Sequence, residues 1–147
     1  MQQNLGDIQN GILTMMKLID KFPFNFKYLD YDCLIIYNDG FHNGYVALTE
    51  KDVFYEMNYD DIDIDVHGGL TFSSFGNDMD YFQYNDEGKK LYWIGFDCDH
   101  YGDVIMNGSW LWKCNKSPEY IVGEIFEMVH QIIKKNDYEN AKNKKIN

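Results

Sequence analysis

The sequence predicts an α+β domain, with a mostly antiparallel sheet of about five strands covered by a C-terminal helix and an N-terminal helix beside it. Three observations predict it. A length of 147 residues suits one domain with one core. Short β-rich runs recur between turn signals through the middle of the chain, and apolar residues repeat at helical spacing near both ends. The expected layout is a single domain over 1–147, with the N-terminal helix at about 1–25 and the sheet at 30–115. The C-terminal helix follows at 117–140, and a frayed tail at 141–147.

The N-terminal helix rests on Ile8, Ile12, Leu13, Met15, Met16, Leu18 and Ile19, and ends near Pro23. After the Phe22-Pro23-Phe24 punctuation, Cys33 to Tyr37 reads as a strand, Asn38-Asp39-Gly40 as a turn, and Gly44-Tyr-Val-Ala-Leu as the second arm of a hairpin. Asp61-Ile62-Asp63-Ile64-Asp65-Val66 alternates acid and apolar residues, which gives an extended segment one charged and one dry face. It runs into His67-Gly68-Gly69, then into a strand at Leu70-Thr71-Phe72-Ser73 and a polar loop from Gly76 to Gly88. Leu91 to Phe96 reads as a central strand, Asp97 to Asp103 as its exit loop, and Trp110 to Cys114 as a further strand. Ser117-Pro118-Glu119 supplies an N-cap, a first-position proline and a first-turn acid. Ile121, Val122, Ile125, Phe126, Val129, Ile132 and Ile133 then form the stripe that should pack on the sheet.

Composition narrows the function classes. The formal net charge is −11, no arginine occurs, and Lys134, Lys135, Lys142, Lys144 and Lys145 crowd into the last fourteen residues. Without the planar guanidinium fork or a basic face, direct nucleic-acid binding is not expected. Cys33, Cys98 and Cys114 form no C-x-x-C pair, and the N-terminus MQQNLGDIQNG lacks the apolar centre of a signal peptide, so a soluble protein of a reducing cytoplasm is expected. The longest apolar run, Cys33 to Tyr37, is strand length, and no membrane partner is expected.

Two strings carry a resemblance: Val66-His-Gly-Gly-Leu-Thr-Phe-Ser and Trp93-Ile-Gly-Phe-Asp-Cys-Asp-His-Tyr-Gly-Asp. They are similar to the V-H-G-G-L-T-[FY]-S and W-x-G-F-D-C-A-H-A-G-D patterns of a family of small bacteriophage and prophage proteins of unknown function. Gly44-Tyr-Val, Tyr59-Asp-Asp and the helix after Ser117 fall in matching order, so the resemblance covers roughly residues 44–134. Asp99 and Tyr101 replace small residues on either side of His100. The resemblance implies a phage accessory gene acting in an infected bacterial cell, and carries no reaction with it.

The candidate ligand-binding residues are His67, Gly68, Gly69, Thr71, Trp93, Asp97, His100 and Asp103. One reading places a divalent metal on His67, Asp97 and His100 with an open position for water, Asp103 or Asp99 serving as base or, for Asp103, as a further ligand. That protein would be a metal-dependent hydrolase. The plainer reading needs no cofactor: the two glycines allow a kink, Asp97 caps the turn after its strand, and His67 hydrogen-bonds to that carboxylate. Cys98, between two acids, is a poor nucleophile because neighbouring carboxylates raise a thiol's pKa. The phage context and the lack of a catalytic set favour a non-enzymatic binder that inhibits a host antiviral defence. Two mechanisms suit it: sequestering a nucleotide-like signal near His67 and His100 with help from Lys89 or Lys90, or acidic mimicry of a phosphate backbone by Asp60, Asp61, Asp63 and Asp65. The expected partners are a host defence protein or a small nucleotide-like ligand, and an exposed hairpin edge would suit a homodimer.

Overall fold

Five strands form one antiparallel sheet in the order β1-β2-β3-β5-β4, and among the described residues one long helix covers one face of it. The structure, a computed structural model, describes residues 23–38, 41–75, 91–98, 104–106, 110–114 and 117–146. The strands are β1 (Phe24–Tyr28), β2 (Tyr31–Asn38), β3 (Phe41–Leu48), β4 (Phe72–Ser74) and β5 (Tyr92–Phe96). Helix α1 spans Pro118–Ile146. The expected N-terminal helix and the expected polar loop at 76–88 lie outside the described residues. No described helix is long and apolar enough to cross a membrane.

Register explains how both faces are filled. Alternation along β3 and β5 sends Val46, Leu48, Ile94 and Phe96 toward α1, where Ile121, Val122, Ile125, Met128, Val129 and Ile132 complete the core. The opposite parity sends Leu34, Tyr45, Ala47 and Trp93 into a second buried cluster on the other face. Glycines at the β3–β5 crossing make room for rings. A Cβ on Gly44 would lie 2.7 Å from the Phe96 ring, and one on Gly95 would run into the Tyr45 ring and lie 2.7 Å from the Gly44 carbonyl oxygen. Each aromatic thus lies across the bare backbone of the neighbouring strand, Phe96 on the helix side and Tyr45 on the other.

Several elements depart from the sequence reading. The sheet begins at Phe24 rather than about residue 30, because Phe24, Phe26 and Tyr28 alternate inward against Asn25 and Lys27, giving a short period-two strand. Residues 58–66 do not join the sheet. Tyr59–Asp61 is a 3₁₀ turn capped by Asn58, and Ile62, Ile64 and Val66 are buried while Asp61, Asp63 and Asp65 are exposed. The dry and charged faces are as read; the neighbour is α1, not a strand. Just beyond the expected exit loop, an unforeseen strand β6 (Val104–Met106) pairs antiparallel with the expected strand β7 (Trp110–Cys114) in a separate two-stranded sheet. Helix α1 runs through Ile146 instead of fraying at 141, since residues 134–146 contain neither proline nor glycine and their lysines suit the helix C-terminus.

A buried polar knot ties this frame together. Asp52, only 8% exposed, accepts hydrogen bonds from the Tyr31 hydroxyl (2.6 Å), the Thr49 amide (2.8 Å) and Asn136 Nδ2 (2.8 Å). Asn136 Oδ1 accepts from the Val53 amide at 2.9 Å. One carboxylate and one carboxamide therefore fix β2, the exit of β3 and the middle of α1 to each other. The first turn of α1 is capped as its sequence predicts, with the Tyr120 amide donating to Ser117 Oγ at 3.2 Å.

Candidate functional site

His67 sits where the acid-rich segment turns back toward β4. The Gly69 amide donates to the Val66 carbonyl at 2.8 Å, and Gly68 and Gly69 have φ of 67° and 80°. Both glycines occupy the left-handed region, which a side chain would strain. This kink aims the His67 backbone and ring at the first turns of α1.

There the His67 amide donates to Glu124 Oε1 at 3.0 Å, and the Tyr120 hydroxyl donates to the same oxygen at 3.2 Å. His67 Nδ1 lies 2.9 Å from the Tyr120 oxygen. The Tyr120 hydroxyl has one proton, so when it donates to Glu124 the contact with His67 takes its hydrogen from Nδ1. The His67 and Tyr120 rings meet edge to face, 5.4 Å apart at 88°. Two turns further on, Gln131 acts on Asp65 as a strand neighbour would. Its Oε1 accepts from the Asp65 amide at 2.7 Å and its Nε2 donates to the Asp65 carbonyl at 2.8 Å. Residues 65–67 are thus hydrogen-bonded edge-on to α1, and an open groove of about 400 Å³ lies between them, lined by Asp65, His67, Gly68, Glu124, Glu127 and Gln131.

The other sequence candidates gather elsewhere. Thr71 is held to β5 through its amide, which donates to the Gly95 carbonyl at 2.9 Å. Trp93 is 1% exposed in the cluster on the face away from α1. Asp97 leaves β5 near Tyr45, whose phenol pKa is raised first by burial and further by the Asp97 charge, with an opposing hydrogen bond from Asn43. His100 and Asp103 lie outside the described residues, as do Lys89 and Lys90. His67 is hydrogen-bonded to Tyr120 and Glu124 of α1, two partners that the sequence reading did not include. Among the described residues, no three His, Cys, Asp or Glu side chains are grouped to hold a metal. Cys33 and Cys98 are buried thiols, and burial raises the Cys33 pKa far above its usual value.

Tyr120, Glu124, Glu127 and Gln131 were invisible to a reading that took the last helix as an apolar stripe. A signal for them exists: they recur at steps of four, three and four along the polar side of that stripe, as residues on one helix face must. No family model matches the chain, and no curated protein or solved structure matches it either.

Proposed function

We propose that the protein is a non-enzymatic binder of phage type whose row of carboxylates imitates a nucleic-acid backbone and occupies the basic surface of a host defence protein. The observation that carries this reading is how the row is anchored. Asp60, Asp61, Asp63 and Asp65 are exposed. Asp61, Asp63 and Asp65 alternate with buried Ile62, Ile64 and Val66, and Gln131 holds the main chain at Asp65 from below. Asp61 ends the 3₁₀ turn and Asp63 is spanned by the hydrogen bond from the Ile64 amide to the Ile62 carbonyl (3.1 Å), so the backbone that spaces these carboxylates is bonded within itself. A basic groove that has evolved to track phosphates meets there a series of negative charges whose ordering entropy is already spent. The charge of −11 adds long-range attraction toward such a partner, and the resemblance to phage accessory proteins supplies the setting in which blocking a host protein is useful.

The test is affinity capture from a bacterial lysate with the wild-type protein and with an Asp61→Asn/Asp63→Asn/Asp65→Asn variant. The expected result is a basic, nucleic-acid-binding protein retained by the first and lost from the second. Equal retention by both would overturn the mimicry reading, and a tightly bound nucleotide co-purifying with the wild type would replace it with capture of a small signal.

A further inference from the structure

The polar face of α1 changes sign along its length, and Gln131 marks the change. On its N-terminal side lies the acidic groove of Asp65, Glu124, Glu127 and His67, about 400 Å³. On its C-terminal side lies a second groove of about 390 Å³, lined by Asp63, Lys134, Lys135 and Tyr138 and again by Gln131. Two open grooves of nearly equal size and mostly opposite charge thus share one residue on one helix, with Asp63 the acidic exception in the second.

From this geometry we infer that the face is self-complementary and that its occupant is a second copy of this chain, packed antiparallel about a two-fold axis near Gln131. Such an axis pairs residues equally far from position 131. Four residues away on either side stand Glu127 and Lys135, seven away Glu124 and Tyr138, eleven away Tyr120 and Lys142. All lie on one side of the helix, because steps of four, seven and eleven return close to the same angle at 3.6 residues per turn. Every pair is complementary: carboxylate with ammonium, carboxylate with phenol, and phenol ring with ammonium. Tyr120 and Tyr138 are among the large apolar side chains left exposed, at 37% and 61%. Lys135 already stands 5.3 Å over the Tyr138 ring and 3.5 Å from Glu139, and Glu127 lies 3.7 Å from His130 Nδ1, so these ends are oriented before any partner arrives. A symmetric contact of this kind closes on itself, whereas a foreign partner would have to reproduce both signs at the same spacing. The inference does not rest on mimicry, but the two surfaces share Asp63 and Asp65, so a basic partner would compete with the second copy.

Analytical ultracentrifugation over a concentration series tests it, at about 0.1 M salt, where the mutual repulsion of two acidic chains is screened beyond about 10 Å. The wild type is expected to dimerise reversibly, and Glu127→Lys and Lys135→Glu each to weaken the dimer at least tenfold with unchanged circular dichroism. Mixed one to one, the two variants restore both pairs of opposite charge and should sediment together as a heterodimer. A wild type that stays monomeric at every concentration would overturn the inference. So would charge-reversed variants that dimerise as the wild type does, or a mixture that fails to recover.

Discussion

Replacing Gln131 with alanine tests whether a helix side chain can stand in for a β-strand neighbour. The substitution removes two hydrogen bonds, 2.7 and 2.8 Å long, from the main chain of Asp65. A net worth of about 0.5–1.5 kcal/mol each would give about 1–3 kcal/mol, but both bonds are reachable by water, which replaces part of what is lost. The expected cost is therefore about 1 kcal/mol, or a fall in Tm of about 3 °C for a domain of this size. Thermal denaturation at protein concentrations too low for self-association isolates that number. Amide hydrogen exchange adds the local readout: Asp65 should exchange faster in Gln131→Ala, while Val46 and Ile94, in the sheet interior, keep their protection. An unchanged Tm together with unchanged exchange at Asp65 would refute the claim that Gln131 stiffens the acidic row.

Gly95→Ala should destabilise by about 3 kcal/mol, because the new methyl runs into the Tyr45 ring and meets the Gly44 carbonyl oxygen at 2.7 Å. Chemical denaturation measures this, and adding Tyr45→Ala should give no full rescue, since the backbone clash remains. The β1–β2 hairpin closes through Leu29 and Asp30 at φ of 48° and 69°, between the paired Tyr28 and Tyr31. Leu29→Asn/Asp30→Gly should therefore stabilise the protein by about 1–2 kcal/mol, by placing turn residues that accept positive φ; a lower denaturation midpoint would contradict this. Burial raises the phenol pKa values of Tyr31, Tyr45 and Tyr28 above the usual 10.0, helped at Tyr31 by its hydrogen bond to Asp52. The unfolded chain then loses these protons first, so their contribution is intact below about pH 10 and stability falls as pH rises beyond it. Phenolate absorbance should show these tyrosines ionising last, in step with alkaline unfolding.

The strands and the last helix were legible because periods of two and 3.6 are written locally, in Cys33 to Tyr37, Leu91 to Phe96 and Ile121 to Ile133. Strand β1 was not, because five residues beside Pro23 offer too short a run to stand out from turn punctuation. The segment from Asp61 to Val66 shows a sharper limit. Alternating burial follows from any extended chain with one dry side, and nothing in those residues says that the neighbour is a helix. The site was half legible. His67 and its two glycines announced a kink, but the partners Tyr120 and Glu124 lie 53 and 57 positions away and meet His67 only because α1 crosses the sheet beside it. The surroundings of Asp97 were no more legible: β5 alternation carries Trp93 to the face opposite α1, and Asp97 leaves that strand beside Tyr45.

The proposed imitation of a phosphate backbone by the row from Asp60 to Asp65 is tested by the affinity of a captured host protein measured against salt, with double-stranded DNA as competitor. The expected result is an affinity that falls steeply as salt rises and mutual exclusion between the protein and the DNA. Binding that ignores salt, or a ternary complex holding both at once, would contradict it.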